Sequence, residues 1–210
     1  MLLASYEHPT TIEPSVYSVW QESSATERNF DRIYTAFEAM QNDSFAGVEK
    51  VAVNADCSMI ATKDSVRPRT VWIWSISSTS PSTVLNFREH IKQILWHPSI
   101  TSLLLILTVQ KDPTFYIWHD KSTAPSIGVI DLSTSGKGAG KFEGFWLPIR
   151  IRGQQIFMMS TPDAFDLGFL KCWSDRVCLE SVLQKNYLKE ELGPNMDESY
   201  TDPIRPEDDH

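Results

Sequence analysis

The sequence is short of the residues that would tie it to several common designs. Its 210 residues include only three cysteines, Cys57, Cys172 and Cys178. This odd, sparse set builds no disulfide framework and reads as a reducing compartment. Cations are outnumbered, with 19 Lys and Arg against 27 Asp and Glu and a formal net charge of −8. A general binder of nucleic acid or of anionic membrane needs a basic face, so neither is expected. Long hydrophobic runs are missing too. The longest, Leu103 to Leu107 with Ile100 and Val109 nearby, falls far short of the roughly 20 residues that span a bilayer. Met1 to His8 carries neither a basic flank nor a long apolar run, and no signal peptide is expected there. A soluble intracellular protein is the expectation. With 41% apolar residues it has ample material for one core.

The acidity is concentrated at one end. Between Lys189 and His210 stand eight acids and two bases, together with Pro194, Pro203 and Pro206. Residues 189–210 therefore carry −6 of the −8. Such a segment cannot bury enough apolar surface to offset its ordering entropy, and a disordered acidic tail is expected.

The body reads as strands and turns. Val48, Val51 and Val53 are apolar, Asn54 to Ser58 supplies turn chemistry, and Met59 to Thr62 follows as a short apolar piece. A polar loop from Lys63 to Arg69 leads to Thr70-Val71-Trp72-Ile73-Trp74-Ser75-Ile76. Pieces of this length separated by Asn, Asp, Ser and Pro mark antiparallel strands. In the last one Val71 and Ile73 fall on one face, and Trp72, Trp74 and Ile76 on the other. Both faces are largely apolar, so this strand should be covered on both sides.

The pattern recurs. Ile91 to Pro98 lies 43 positions after Val48 to Ala55, and Thr114 to His119 lies 44 after Thr70 to Ser75. Ser102 to Val109 takes the place of Met59 to Thr62. A weaker copy begins with Phe142 to Pro148, 50 positions after the Leu95 to Pro98 segment at its tryptophan. It continues through Gln155 to Met159 and Phe165 to Leu170. Strand, turn, strand, loop and a strand ending in Trp, at a period near 43, match a four-stranded propeller blade. The expected units span about 47–90, 91–125 and, more weakly, 142–175, within a partial propeller over 1–188. Trp74, Trp96, Trp118 and Trp146 recur at equivalent places and are read as blade core.

These units resemble WD-repeat blades. Trp74-Ser75 and Trp118-His119 stand where that family has its Trp-Asp pair, and the Asp is missing from both. The usual opening Gly-His is also absent; only Glu89-His90 stands in its place. The hydrogen-bonded network those residues form in the family is not expected here, leaving apolar packing between blades to supply stability.

A narrower resemblance rests on Ala61-Thr62-Lys63-Asp64, Arg67-Pro68-Arg69 and Thr70 to Ile76. It extends through Phe87, Ile94-Leu95-Trp96, Tyr116-Ile117-Trp118 and the 142–170 region, with Tyr6-Glu7-His8-Pro9 and Val16-Tyr17 as a blade entry upstream. These segments are similar to the spindle-pole and centrosomal WD-repeat protein family, in its C-terminal portion only. The resemblance implies an all-β partial WD-repeat propeller and a non-catalytic scaffold at the spindle pole body or centrosome. Its implied partners are a coiled-coil microtubule-anchoring protein and a minus-end-directed kinesin. A propeller needs roughly 4–8 blades to close, so about three to four blades imply an open array, and a fragment of a longer product is the expectation. The alternatives are a truncated propeller with no activity of its own, or a WD-repeat adaptor for an unrelated complex.

Two segments have helical period. Phe30, Ile33, Tyr34, Phe37 and Met40 give Thr26 to Gln41 an amphipathic pattern, although the resemblance implies extended chain there. Val177, Leu179, Val182, Leu183, Tyr187 and Leu188 predict a second helix from about Arg176 to Glu191, before Gly193-Pro194.

Catalytic and cofactor motifs are not found. Gly136 to Lys141 has three residues between Gly136 and Gly140, and Phe142 follows the lysine. That is neither a Walker loop nor a dinucleotide fingerprint. His8, His90, His97, His119 and His210 pair with no Cys or Glu at metal-ligand spacing, and Cys172 and Cys178 lack a second pair. No enzyme, cofactor or metal is expected. The exposed candidates for partner contact are Lys63 to Arg69 and Lys111 to Pro113.

Overall fold

The computed structural model describes residues 5–23, 29–38, 47–109, 114–119, 123–129, 142–151, 153–160, 165–172 and 177–181. Every regular element among them is a strand. Four short ones come first: β1 (Thr11–Ile12), β2 (Ser18–Glu22), β3 (Phe30–Arg32) and β4 (Phe37–Glu38). The first full sheet follows as β5 (Val48–Val53), β6 (Met59–Asp64), β7 (Thr70–Ser75) and β8 (Pro81–Asn86). The second is β9 (Ile91–Trp96), β10 (Leu104–Thr108), β11 (Thr114–Trp118) and β12 (Ser126–Val129). The third is β13 (Glu143–Ile151), β14 (Gln154–Ser160), β15 (Phe165–Cys172) and β16 (Val177–Ser181).

Within each sheet the strands pair antiparallel in sequence order, the up-and-down meander of a propeller blade. The first sheet is extended to six strands by a hairpin. β2 pairs parallel with β8, and β3 pairs antiparallel with β2. β1 and β4 form a small sheet of their own.

The two-residue period of the strands decides how the sheets stack. On one face of the first sheet Trp72, Trp74 and Val84 are buried against Ile12, Tyr17 and Val19, with Tyr6, Ile33 and Phe37 alongside. On the other face Ala61, Val71, Ile73 and Leu85 meet Ile94, Trp96, Leu104, Ile106, Tyr116 and Trp118 of the second sheet. The opposite face of the second sheet, Leu105, Leu107, Phe115 and Ile117, packs on Phe142, Phe157 and Met159 beside the partly buried Trp146. Each fully buried aliphatic or aromatic side chain contributes about 1.5–3 kcal/mol, so the sheet faces supply most of the driving force. The result is an open stack of blade-like sheets, a partial propeller. β7 is covered on both sides, as its sequence requires: Val71, Trp72, Ile73 and Trp74 are all buried.

Two helical expectations are corrected. Within Thr26 to Gln41 the described residues form β3 and β4, not a helix. Phe30 leaves its apparent helical stripe to sit edge-to-face on Phe87 and Tyr116, and the backbone at Phe30 to Arg32 bonds to β2. Within Arg176 to Glu191, Val177 to Ser181 is strand β16, paired from Gly168↔Ser181 to Cys172↔Val177. The open edge of β15 offers Val177 to Ser181 a full ladder of backbone partners, which outweighs the helical spacing of their apolar residues. Residues 182–191, the acidic tail and Lys111 to Pro113 lie outside the described residues.

Side chains on β9 also bind the third sheet. Gly144 N donates to Gln93 Oε1 at 2.7 Å, and Lys92 Nζ donates to the Phe142 carbonyl. Gly144 allows this approach because it has no Cβ. One built there would lie 2.6 Å from Phe157 Cζ and 3.1 Å from Leu107 Cδ2. Gly144→Ala is expected to cost about 1–3 kcal/mol through overpacking, read as a lower midpoint in urea unfolding. A midpoint equal to that of the parent chain would refute this close packing.

Candidate functional site: a buried His-Thr-Trp network and its rim

The most organised polar cluster lies where the N-terminal segment crosses the first sheet. Thr62, on β6, points to the same face as Trp74 on β7, and Trp74 Nε1 donates to Thr62 Oγ1 at 2.8 Å. His8 Nε2 lies 2.8 Å from the same oxygen, and its Nδ1 lies 3.5 Å from Asp64 Oδ2. A carboxylate can only accept, so Nδ1 carries the ring proton and Nε2 accepts from the Thr62 hydroxyl. The imidazole is also held between indoles, 5.2 Å from Trp72 and 5.5 Å from Trp74 by ring centroids. Arg67 closes the cluster. Its guanidinium lies over Trp72 at 5.1 Å, its Nη1 donates to Pro9 O at 2.8 Å, and its backbone N donates to Asp64 Oδ1.

Hydroxyl, imidazole and carboxylate in series can activate a nucleophile. Here Thr62 is buried and its oxygen already accepts the indole N–H, so the trio reads as a clamp that fixes residues 6–9 onto the first sheet. The expectation that no such network forms is therefore corrected. The network is built from other residues than the absent Gly-His and Trp-Asp pairs: His8, 54 positions before Thr62, and Asp64 on the same strand as Thr62. No local pattern announces a partner at that distance.

The second sheet shows what the clamp contributes. Ile60 pairs with Trp74, and Leu104 pairs with Trp118, so Ile106 occupies the position of Thr62. It has no acceptor, and Trp118 Nε1 is buried without a partner among the described residues. Trp74 and Trp118 thus share a register but not a hydrogen-bonding environment. Trp96 and Trp146 are the inner-strand pair. Trp96 Nε1 donates to Ala52 O at 3.0 Å, whereas Trp146 Nε1 is buried without a partner among the described residues.

A second repeated device ends the inner strands. Asn54 Oδ1 accepts from Met59 N at 2.9 Å, and its Nδ2 donates to Thr101 O at 2.8 Å. The equivalent residue in the second sheet is His97, whose Nδ1 accepts from Ser99 N at 3.0 Å and Ile100 N at 2.8 Å. An imidazole that accepts at Nδ1 must be neutral there. Burial, reinforced by Arg150, holds its pKa at about 4. Burial also lowers the pKa of His8, against the pull of Asp64.

The Lys63 to Arg69 loop is less open than expected. Lys63, Asp64 and Val66 are buried, and Lys63 Nζ is bonded to Glu49 at 2.8 Å. Ser65 and Arg69 remain exposed. Arg69 lies beside Arg88, Glu89 and His90, also exposed, because Phe87 N donates to Arg69 O and Ile91 N to Pro68 O. This rim joins loops separated in sequence and carries both signs of charge. No group of three or more His, Cys, Asp or Glu placed to hold a metal occurs among the described residues.

No family model matches the sequence. The chain is 23% identical over 164 residues to an uncharacterized WD repeat-containing protein of Schizosaccharomyces pombe (strain 972), covering 72% of this chain and 33% of that protein. It therefore spans about a third of the length of that curated relative. Among solved structures, a chain in the crystal structure of the mitotic checkpoint complex gives a TM-score of 0.44 at 19% identity, over 71% of this chain and 41% of that one.

Thr62→Val leaves the Trp74 indole and the His8 imidazole without their shared partner, at a cost of about 2 kcal/mol or more. Ile106→Val, at the equivalent apolar position, is expected to cost about 1 kcal/mol. Chemical denaturation of the two variants compares them, and equal losses would remove the clamp from the account of stability. Acid titration gives a second test. The folded-state pKa of His97 lies below the ordinary 6.5, so its neutral form stabilises the fold above pH 6.5. That contribution, up to roughly 3 kcal/mol, is lost as pH falls from 6.5 towards about 4. His97→Asn, which copies Asn54, should keep the turn and flatten this slope; an unchanged slope would point to other groups.

Proposed function

We propose that the chain is a non-catalytic protein-interaction scaffold. The supporting observation is a stack of blade-like sheets whose polar side chains are spent on internal ties, namely the His8 clamp and the Asn54 and His97 turns. Similarity to a WD repeat-containing protein supports the same reading. Rigid sheets hold the loops of the rim at fixed spacing, and binding through such loops needs no movement of the core. Ser65, Arg69, Arg88, Glu89 and His90 are the surface assigned to partner contact.

The finer reading comes from the resemblance carried by Ala61 to Ile76. The chain acts at the spindle pole body or centrosome, in the cytoplasm and on the cytoskeleton. There it helps to anchor microtubule minus ends with a coiled-coil partner and a minus-end-directed kinesin. Fluorescently tagged chain is expected to concentrate at spindle poles in dividing cells. Arg69→Glu combined with Arg88→Glu should abolish that focus while leaving the melting temperature unchanged, since both side chains are exposed. A diffuse signal throughout division would overturn the spindle-pole assignment, and a focus that survives the double substitution would move partner contact off this rim.

A further inference from the structure

The segment that crosses the outward face of the first sheet is held there by side chains. Tyr6 and His8 are partly buried and Glu7 between them is exposed, the two-residue alternation of extended chain. Among the described residues no backbone–backbone hydrogen bond ties residues 5–9 to a strand. The ties are the Tyr6 hydroxyl to Ile76 O at 3.0 Å, the Arg67 guanidinium to Pro9 O at 2.8 Å, and the His8 imidazole to Thr62 and Asp64. Ring contacts of Tyr6 and His8 with Trp74, and of His8 with Trp72, complete them. A segment without a ladder can lift away while the sheet beneath stays paired, at a lower cost than global unfolding.

Of these ties the imidazole is the one whose charge ordinarily changes between pH 5 and 8. The neutral ring accepts at Nε2 from the Thr62 hydroxyl and donates from Nδ1 towards Asp64. A proton on Nε2 removes that acceptor, and Thr62 Oγ1, which already accepts from Trp74 Nε1, loses the partner for its own hydrogen. It also sets a second cation on a carboxylate that is already engaged. Asp64 Oδ1 accepts from Arg67 N, and Oδ2 lies 3.7 Å from Arg67 Nη1. The other elements around the ring add no further charge: β7 contributes the indoles of Trp72 and Trp74. From the covering layer Tyr17, bonded to Glu13 N, stands near Arg67 and stays neutral because burial raises its pKa. Burial first, and Arg67 with it, holds the His8 pKa below the ordinary 6.5 against the opposing pull of Asp64. Freed into water, the ring regains the ordinary value. Protons therefore favour the released state: the hold is complete above pH 6.5 and weakens as pH falls below it.

We infer that residues 5–9 form a proton-operated latch: neutral His8 holds this strap across Trp72 and Trp74, and protonated His8 releases it, uncovering both indoles while the sheets stay assembled. The latch works whether or not the chain is a scaffold.

Digestion of the full chain with a glutamate-specific protease tests it, with cleavage after Glu7 scored by the mass of the released heptapeptide. Each rate is divided by that of a free peptide of residues 1–12 at the same pH, which removes the protease's own pH dependence. The ratio should rise severalfold from pH 7.5 to pH 5, up to a ceiling of about 30-fold set by an ordinary pKa of 6.5. Cleavage after Glu22, which is buried and bonded to Arg88 N and the Tyr116 hydroxyl, reports opening of the sheets and should not rise with it. His8→Gln, whose amide oxygen can accept from Thr62 and cannot titrate, should give the same ratio at both pH values against its matching peptide. His97→Asn, in the second sheet, should keep the parent's rise. A parent ratio that does not change with pH overturns the latch. So does a His8→Gln chain that keeps the rise, a His97→Asn chain that loses it, or cleavage after Glu22 that climbs in step with Glu7.

Discussion

Each full sheet of this chain is apolar on both faces, and the architecture follows from covering them. A strand alternates its side chains, so a segment such as Val71-Trp72-Ile73-Trp74 cannot hide its apolar groups by burying one side. The first sheet must therefore be packed between two layers. One is the second sheet, which meets the same requirement in turn by packing on the third. The other is supplied by Tyr6, Ile12, Tyr17, Ile33 and Phe37, which pack with Trp72 and Trp74 beside Val19 of the added strand β2.

Polar groups in this stack serve the same end. A buried indole N–H has to find an acceptor or forfeit a hydrogen bond. The first sheet solves this with Thr62 and then uses the threonine hydroxyl to hold His8, which pins the covering layer. Glu22 performs a related task at the outer strand, accepting from Arg88 N at 2.9 Å and from the Tyr116 hydroxyl at 2.8 Å. It thereby joins the added hairpin to both the first and the second sheet. The second sheet has Ile106 in place of the threonine, and Trp118 has no hydrogen-bond partner among the described residues. Equivalent strands in one chain thus use two chemistries, and the more polar one sits where a separate segment has to be fastened.

What was legible in the sequence was local. Strand boundaries around Val48, Met59, Thr70, Ile91 and Thr114 follow from runs of β-branched and aromatic residues between turn formers, and the register of the second sheet follows from repetition of the first. The helical readings failed for one shared reason. In Phe30 to Phe37 and in Val177 to Ser181 the apolar spacing suits either period, and the choice fell to an unpaired strand edge nearby, β2 in one case and β15 in the other. The candidate site was less legible than the fold. Thr62, Asp64 and Trp74 are close in sequence, but nothing about His8 marks it as their partner. Likewise Arg69 and Arg88 become one rim only because two loops exchange backbone hydrogen bonds.

By itself, then, the sequence determined the period of the sheets and the demand that β7 be covered on both sides, since alternation and turn chemistry act over a few residues. The tertiary structure decided what does the covering and which polar groups meet beneath it. Those are contacts between residues more than fifty positions apart, such as His8 with Thr62 and Arg67 with Pro9. Their formation depends on the whole stack having assembled, which no short window of residues records.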